Sequence, residues 1–157
     1  MKELQSLSVL VFGAGAVGTY VGGSLALDGQ RVVFLEQPAI AADLGSRGLS
    51  LDLSIDRRRR ATAPLLVPPA AIGSAGSLEQ ALEQGPFDLA LFAMKSFDTL
   101  AVLEQVRPFA DLMPPVLCLQ NGVDNEPALA SLLGSGQVIA GTRAKHLLRP
   151  AGKSCKY

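Results

Sequence analysis

The sequence predicts an α/β fold: a doubly wound parallel sheet with a β-hairpin excursion. Three observations predict it. Short runs that are apolar on both faces, Ser8–Phe12, Asp88–Ala93 and Val116–Leu119, read as central parallel strands, which helices cover on each side. Helical stretches alternate with these runs along the chain, the order that builds right-handed β-α-β units. The first run enters a Gly-x-Gly-x-x-Gly turn, Gly13-Ala14-Gly15-Ala16-Val17-Gly18, and leaves it into a helix.

The elements follow in order. After the turn, Thr19–Leu27 reads as a helix with an apolar stripe at Val17, Val21 and Leu25. Gly22 and Gly23 lower its helix propensity. Close packing on the sheet or close approach of a ligand would each account for them. Gly29 suits the helix C-terminus. Arg31–Leu35 is the second strand, with Glu36 directly after it. Ala39–Ser46 reads as a short helix closed by Gly48. Leu49–Ile55 alternates apolar and polar residues, as a half-exposed strand does. The four arginines Arg57–Arg60 then suggest a hairpin tip, with a second extended piece at Ala63–Pro69. Ser77 is a helix N-cap with Gln80 as its capping-box partner, and Gly85-Pro86 stops that helix. Thr99–Val106 and Glu126–Leu133 are the later helices, Ser96 or Asp98 capping the first and Asp124 the second; Val138–Ala140 is a last short strand.

Composition excludes several classes. The 157 residues suffice for one domain with a core, and 48% apolar against 18% charged residues is not a disordered composition. No apolar run approaches a membrane span, and Met1–Gln5, with its early acid, does not read as a signal peptide. Cys118 and Cys155 offer neither a disulfide framework nor metal spacing, so a reducing, cytoplasmic setting is the default and no metal site is expected. Cys118 reads as a buried strand residue. Residues 1–142 hold nine Lys and Arg against fourteen Asp and Glu, a net of −5; residues 143–157 hold five Lys and Arg and no acid. The first span is therefore expected to be the folded domain and the second a basic tail. An acidic body does not suit a nucleic acid. His146, the single histidine, lies in that tail.

The turns at strand carboxyl ends are where ligands bind in such sheets. In a Rossmann-type dinucleotide site, Gly13 turns the chain, Gly15 lets a pyrophosphate approach the backbone and Gly18 lets the helix pack close, while the helix N-terminus faces the phosphates. Glu36 stands where an acid accepts hydrogen bonds from ribose hydroxyls and repels a 2′-phosphate, which favours NADH; its alternative is a solvated acid. Arg57–Arg60 would hold a 2′-phosphate if the hairpin folded back, or else form a solvated loop tip. Lys95, in Met94-Lys95-Ser96, is a charge or donor for a substrate oxygen, or an exposed lysine. Asn121, in Gln120-Asn121-Gly122, offers an amide at the same edge, or serves the turn alone.

Together, Gly13–Gly18, Arg47-Gly48-Leu49-Ser50-Leu51, Met94-Lys95-Ser96 and Leu119-Gln120-Asn121-Gly122 resemble the N-terminal domain of the ketopantoate reductase (2-dehydropantoate 2-reductase) family, over residues 7–142. The resemblance implies hydride transfer from NAD(P)H to the ketone of a small 2-oxo acid in pantothenate synthesis, with Lys95 and Asn121 lining the nicotinamide and substrate cleft. NADPH is usual in the family, which carries an arginine after the second strand; here that position reads Phe34-Leu35-Glu36-Gln37. The resemblance also implies a second, helical domain that supplies the general-acid lysine and a substrate-binding acid. These 157 residues are expected to lack it, with Arg143–Tyr157 an atypical end from a truncated or frame-shifted product. Two readings of function follow: the cofactor domain of such a reductase, inactive alone and self-associating through the surface left by the second domain, or a stand-alone module that senses or sequesters dinucleotide.

Overall fold

The computed structural model describes residues 6–52, 63–94, 99–120 and 124–141. Its centre is β1 (Ser8–Phe12), which pairs in parallel with β2 (Arg31–Leu35) on one side and β6 (Leu89–Phe92) on the other. Beyond β2 lies β5 (Gly73–Ala75); beyond β6 lie β7 (Val116–Cys118) and β8 (Val138–Ala140), all parallel. The order β5-β2-β1-β6-β7-β8 confirms the doubly wound, Rossmann-type sheet. The winding direction reverses between β1 and β6, which opens a crevice at their carboxyl ends.

Each face of the sheet has its own core. Leu10, Phe12, Ala90, Phe92, Val116 and Cys118 point to one side, under α3 (Leu78–Glu83), α4 (Thr99–Val106) and α5 (Asn125–Leu133). Val9, Val11, Val32, Phe34 and Leu91 point to the other, under α1 (Ala16–Leu27), Leu44 of α2 (Pro38–Arg47) and a two-stranded antiparallel sheet of β3 (Leu49–Leu51) and β4 (Leu65–Val67). Val9, Leu10 and Val11 are fully buried, and each such side chain contributes about 1.5–3 kcal/mol of transfer free energy. Phe12 and Phe92 stack at the crevice with ring centroids 4.2 Å apart.

Four expectations change. The helix after the glycine turn begins at Ala16, not Thr19, because Gly15 is itself its N-cap. Its buried face is Gly18, Gly22, Gly23 and Ala26 rather than the Val17, Val21 and Leu25 stripe, whose residues are only partly buried. A Cβ on Gly22 would sit 2.8 Å from the Phe34 ring, and one on Gly23 2.8 Å from Leu49 and Leu51. Close packing therefore accounts for both glycines, and the sheet supplies the bulk that the helix lacks. β5 has no counterpart among the expected strands, because Gly-Ser-Ala carries no apolar run. Asp124 stands at the N-cap of α5 but makes no side-chain capping bond.

Other local readings hold. Ser77 Oγ accepts the Gln80 N–H at 3.3 Å, while Gln80 Oε1 accepts the Gly76 N–H at 3.1 Å. Gly29, Gly48 and Gly134 adopt positive φ at the ends of α1, α2 and α5. The arginine run, the caps Ser96 and Asp98, and all of the tail from residue 142 lie outside the described residues. No helix among the described residues is long and apolar enough to cross a membrane.

Candidate dinucleotide site

The glycine turn is held mainly by backbone. Gly13 takes φ +94°, a conformation that L side chains rarely adopt, and its N–H donates to Leu35 O at 3.1 Å. A Cβ on Gly13 would crowd Met94, which follows β6 across the crevice. A Cβ on Gly18 would collide with the Gly13 carbonyl. These two glycines let the strand, the turn and α1 close on one another. Gly15 differs: a Cβ there would meet nothing within 4 Å. Its surroundings are open, as an approaching ligand requires. Thr19 Oγ1 closes the turn from behind, donating to Ala14 O at 2.7 Å.

Glu36 follows β2 and turns back onto this loop. Its own N–H donates to Ala75 O of β5 at 3.1 Å, which fixes its backbone between the two strands. Its carboxylate accepts the Ala14 N–H at 2.5 Å through Oε1 and the Gln37 N–H at 3.1 Å through Oε2. Residues 22 apart in sequence are thereby joined at the mouth of the crevice. A carboxylate has about four lone-pair sites, so acceptor capacity remains for two further donors, such as the hydroxyls of a ribose. The N-terminus of α1 has no side-chain cap, so its positive end is available to an anion. A nucleotide's ribose and pyrophosphate fit this donor set.

The second part of the crevice is built differently. Gln120, two residues past the end of β7, donates through Nε2 to Met94 O at 3.3 Å and to Thr99 Oγ1 at 2.8 Å. Thr99 Oγ1 in turn donates to Asn125 Oδ1 at 3.0 Å, and Cys118 Sγ donates to Gln120 Oε1 at 3.7 Å. Thr99, Gln120 and Asn125 are only 3%, 6% and 6% exposed. Cys118 is buried as expected, and burial pushes its thiol pKa up. Sequence reasoning missed this cluster. No periodicity marks it; the available signal is a polar residue at the first position of two helices that follow neighbouring strands.

The structure thus brings Gly13–Gly18 and Glu36 together. Lys95 and Asn121 lie outside the described residues, although the residues before each, Met94 and Gln120, are hydrogen-bonded to one another. Among the described residues no group of three His, Cys, Asp or Glu is placed to hold a metal ion.

Strand order and glycine turn define an α/β protein of the Rossmann class. Residues 9–150 match the ketopantoate reductase PanE/ApbA family, and the chain belongs to it. It is 27% identical over 135 residues to a 2-dehydropantoate 2-reductase of Pyrococcus abyssi, which covers 86% of this chain and 39% of that protein. Two crystal structures superpose on it. A PanE/ApbA family ketopantoate reductase from Ralstonia eutropha gives a TM-score of 0.67 at 31% identity over 85% of this chain and 40% of the other. A 2-dehydropantoate 2-reductase from Geobacter metallireducens gives 0.68 at 29% identity over 90% and 44%. The chain therefore spans about two fifths of the length of these relatives.

Proposed function

We propose that this chain is the cofactor-binding part of a cytoplasmic NAD(P)H-dependent oxidoreductase that reduces 2-dehydropantoate to pantoate. The observation that carries the dinucleotide reading is the Glu36 carboxylate on the Ala14 N–H, beside an uncapped helix N-terminus. The choice of 2-oxo acid rests on the family. A bound nicotinamide would supply the hydride. The chain's part is to hold and orient: α1 and the glycine turn take the pyrophosphate, Glu36 takes the adenosine ribose hydroxyls, and Lys95 with Asn121 orients the substrate carbonyl and carboxylate.

The same carboxylate sets the cofactor preference. A 2′-phosphate would lie against the Glu36 charge, so NADH binds more tightly than NADPH, against the habit of the family. Calorimetric titration with each dinucleotide tests this. Tighter NADPH binding would refute it and turn attention to Arg57–Arg60. Dinucleotide is held by one half of a cleft, and orientation and proton delivery need both. These 157 residues alone therefore oxidise NADH slowly or not at all with 2-dehydropantoate, and steady turnover at rates ordinary for enzymes would sink that statement. Self-association also belongs to the proposal: Leu100 is 72% exposed at the start of α4, and Ile139 of the edge strand β8 is 50% exposed. Light scattering that finds a monomer at high concentration would count against it.

A further inference from the structure

Backbone contact shapes the glycine turn, yet one of its residues, Ala14, is held by side chains on both flanks. Its N–H donates to Glu36 Oε1 at 2.5 Å, and its carbonyl accepts the Thr19 hydroxyl at 2.7 Å. The two anchors come from different elements. Glu36 follows β2, with its backbone fixed to Ala75 of β5; Thr19 lies in α1, with its own N–H on Gly15 O at 2.8 Å. Glu36 takes the N–H that precedes the Gly15 N-cap, and Thr19 gives its hydrogen to a carbonyl. Neither bond therefore consumes an N–H of the helix end, where the first N–H groups have no partner within the helix. Ala14 stands between two glycines, and Gly15 has open space around it. Glycine has more backbone freedom to lose than any other residue. A turn left unheld would be ordered only by its ligand, and that ordering would be subtracted from affinity.

We propose that Thr19 and Glu36 are positioning residues for the pyrophosphate. By fixing both peptide groups of Ala14, they hold the glycine turn in the shape that presents the N–H groups of α1 to a diphosphate. This rests on the dinucleotide reading above and gives Glu36 a second task within it. One consequence separates the two tasks. A carboxylate that served the ribose alone could be lost without effect on a diphosphate whose sugar has no hydroxyls. Because Glu36 also holds the turn, such a ligand is weakened too. It is weakened again when Thr19, which has no part in the ribose, loses its hydroxyl.

The experiment measures, by calorimetry, ADP and its 2′,3′-dideoxy analogue, which keeps the diphosphate and lacks both ribose hydroxyls. Thr19→Val removes the hydroxyl at constant shape and Thr19→Ser keeps it. Glu36→Gln and Glu36→Leu are both uncharged, and only the first keeps an acceptor for the Ala14 N–H. Hydrogen exchange is read at the Ala14 amide, with Val9 and Val33 as references. Thr19→Val should bind the dideoxy analogue about fivefold more weakly than the unaltered chain, and Glu36→Leu about fivefold more weakly than Glu36→Gln; fivefold corresponds to about 1 kcal/mol. Thr19→Ser should recover the affinity that Thr19→Val loses. Exchange should quicken at Ala14 in Thr19→Val and Glu36→Leu and stay unchanged at Val9 and Val33. Equal affinity for the dideoxy analogue within either pair of variants would overturn the proposal. So would exchange that rises at Val9 and Val33 as well, the mark of a general loss of stability. An unaltered chain that binds neither ligand defeats the dinucleotide reading itself, whereas variants that leave binding intact defeat this proposal alone.

Discussion

The two halves of the crevice reach order by opposite means. On the β1–β2 side, the turn is shaped by what side chains leave out: Gly13 and Gly18 let backbone meet backbone, and one carboxylate, Glu36, secures the loop from outside. On the β6–β7 side, side chains do the holding, through a buried chain of amide, hydroxyl and amide. The first solution leaves open space at Gly15 and an uncapped helix end, which suits a pyrophosphate. The second leaves the residues beside it, Lys95 and Asn121, with anchored neighbours. On the proposed dinucleotide reading, the site is permissive where the phosphate shared by both cofactors would lie and strict beside the residues that would aim reacting atoms.

Substitutions sharpen or break this contrast. The largest effect is expected of Gly18→Ala. Its Cβ would strike the Gly13 carbonyl, a backbone atom that cannot step aside, so we expect a loss of about 3 kcal/mol in stability and no measurable NADH binding. A denaturant melt with calorimetry checks both, and near-normal binding would mean that the turn is not held by backbone contact. Next comes Glu36→Arg, which should reverse the preference between NADH and NADPH, each tenfold being about 1.4 kcal/mol; an unchanged preference would remove Glu36 from the ribose. Thr99→Val should cost about 1–3 kcal/mol of stability, because it leaves buried partners unsatisfied, and Thr99→Ser should recover most of it. Equal stability for the two variants would show that the hydroxyl carries nothing. The smallest effect belongs to Ser77→Ala at the N-cap of α3, about 1 kcal/mol of stability with NADH affinity unchanged, because the Ser77 hydroxyl accepts from Gln80 and bonds neither the glycine turn nor Glu36.

The first half was legible in the sequence and the second was not, for the same physical reason. Backbone contact demands glycine at fixed spacing, so Gly13 and Gly18 declare the turn, and an acid after the second strand declares its partner. Hydrogen bonds between side chains of separate elements obey no spacing, so Thr99 looked like an ordinary start to a helix and Gln120 like part of a turn. The small strand Gly73–Ala75 escaped because its neighbours supply the apolar surface. For Gly22 and Gly23 the sequence leaves close packing and ligand approach both open, and the structure decides for packing against Phe34, Leu49 and Leu51.

The position of β1 also governs how the chain is assembled. Its two sides close at very different times during synthesis. β2 is 23 residues away and can pair early, whereas β6 pairs Val9 with Leu89, and the Asp88 carboxylate accepts the Ser8 N–H across 80 residues. Until synthesis has passed Phe92, one edge of β1 stands open to other chains. Closure over such a span is slow relative to local pairing, so the nascent chain is most exposed to aggregation while the residues between β2 and β6 are being added, and a chaperone that shields β1 would have its greatest effect in that interval.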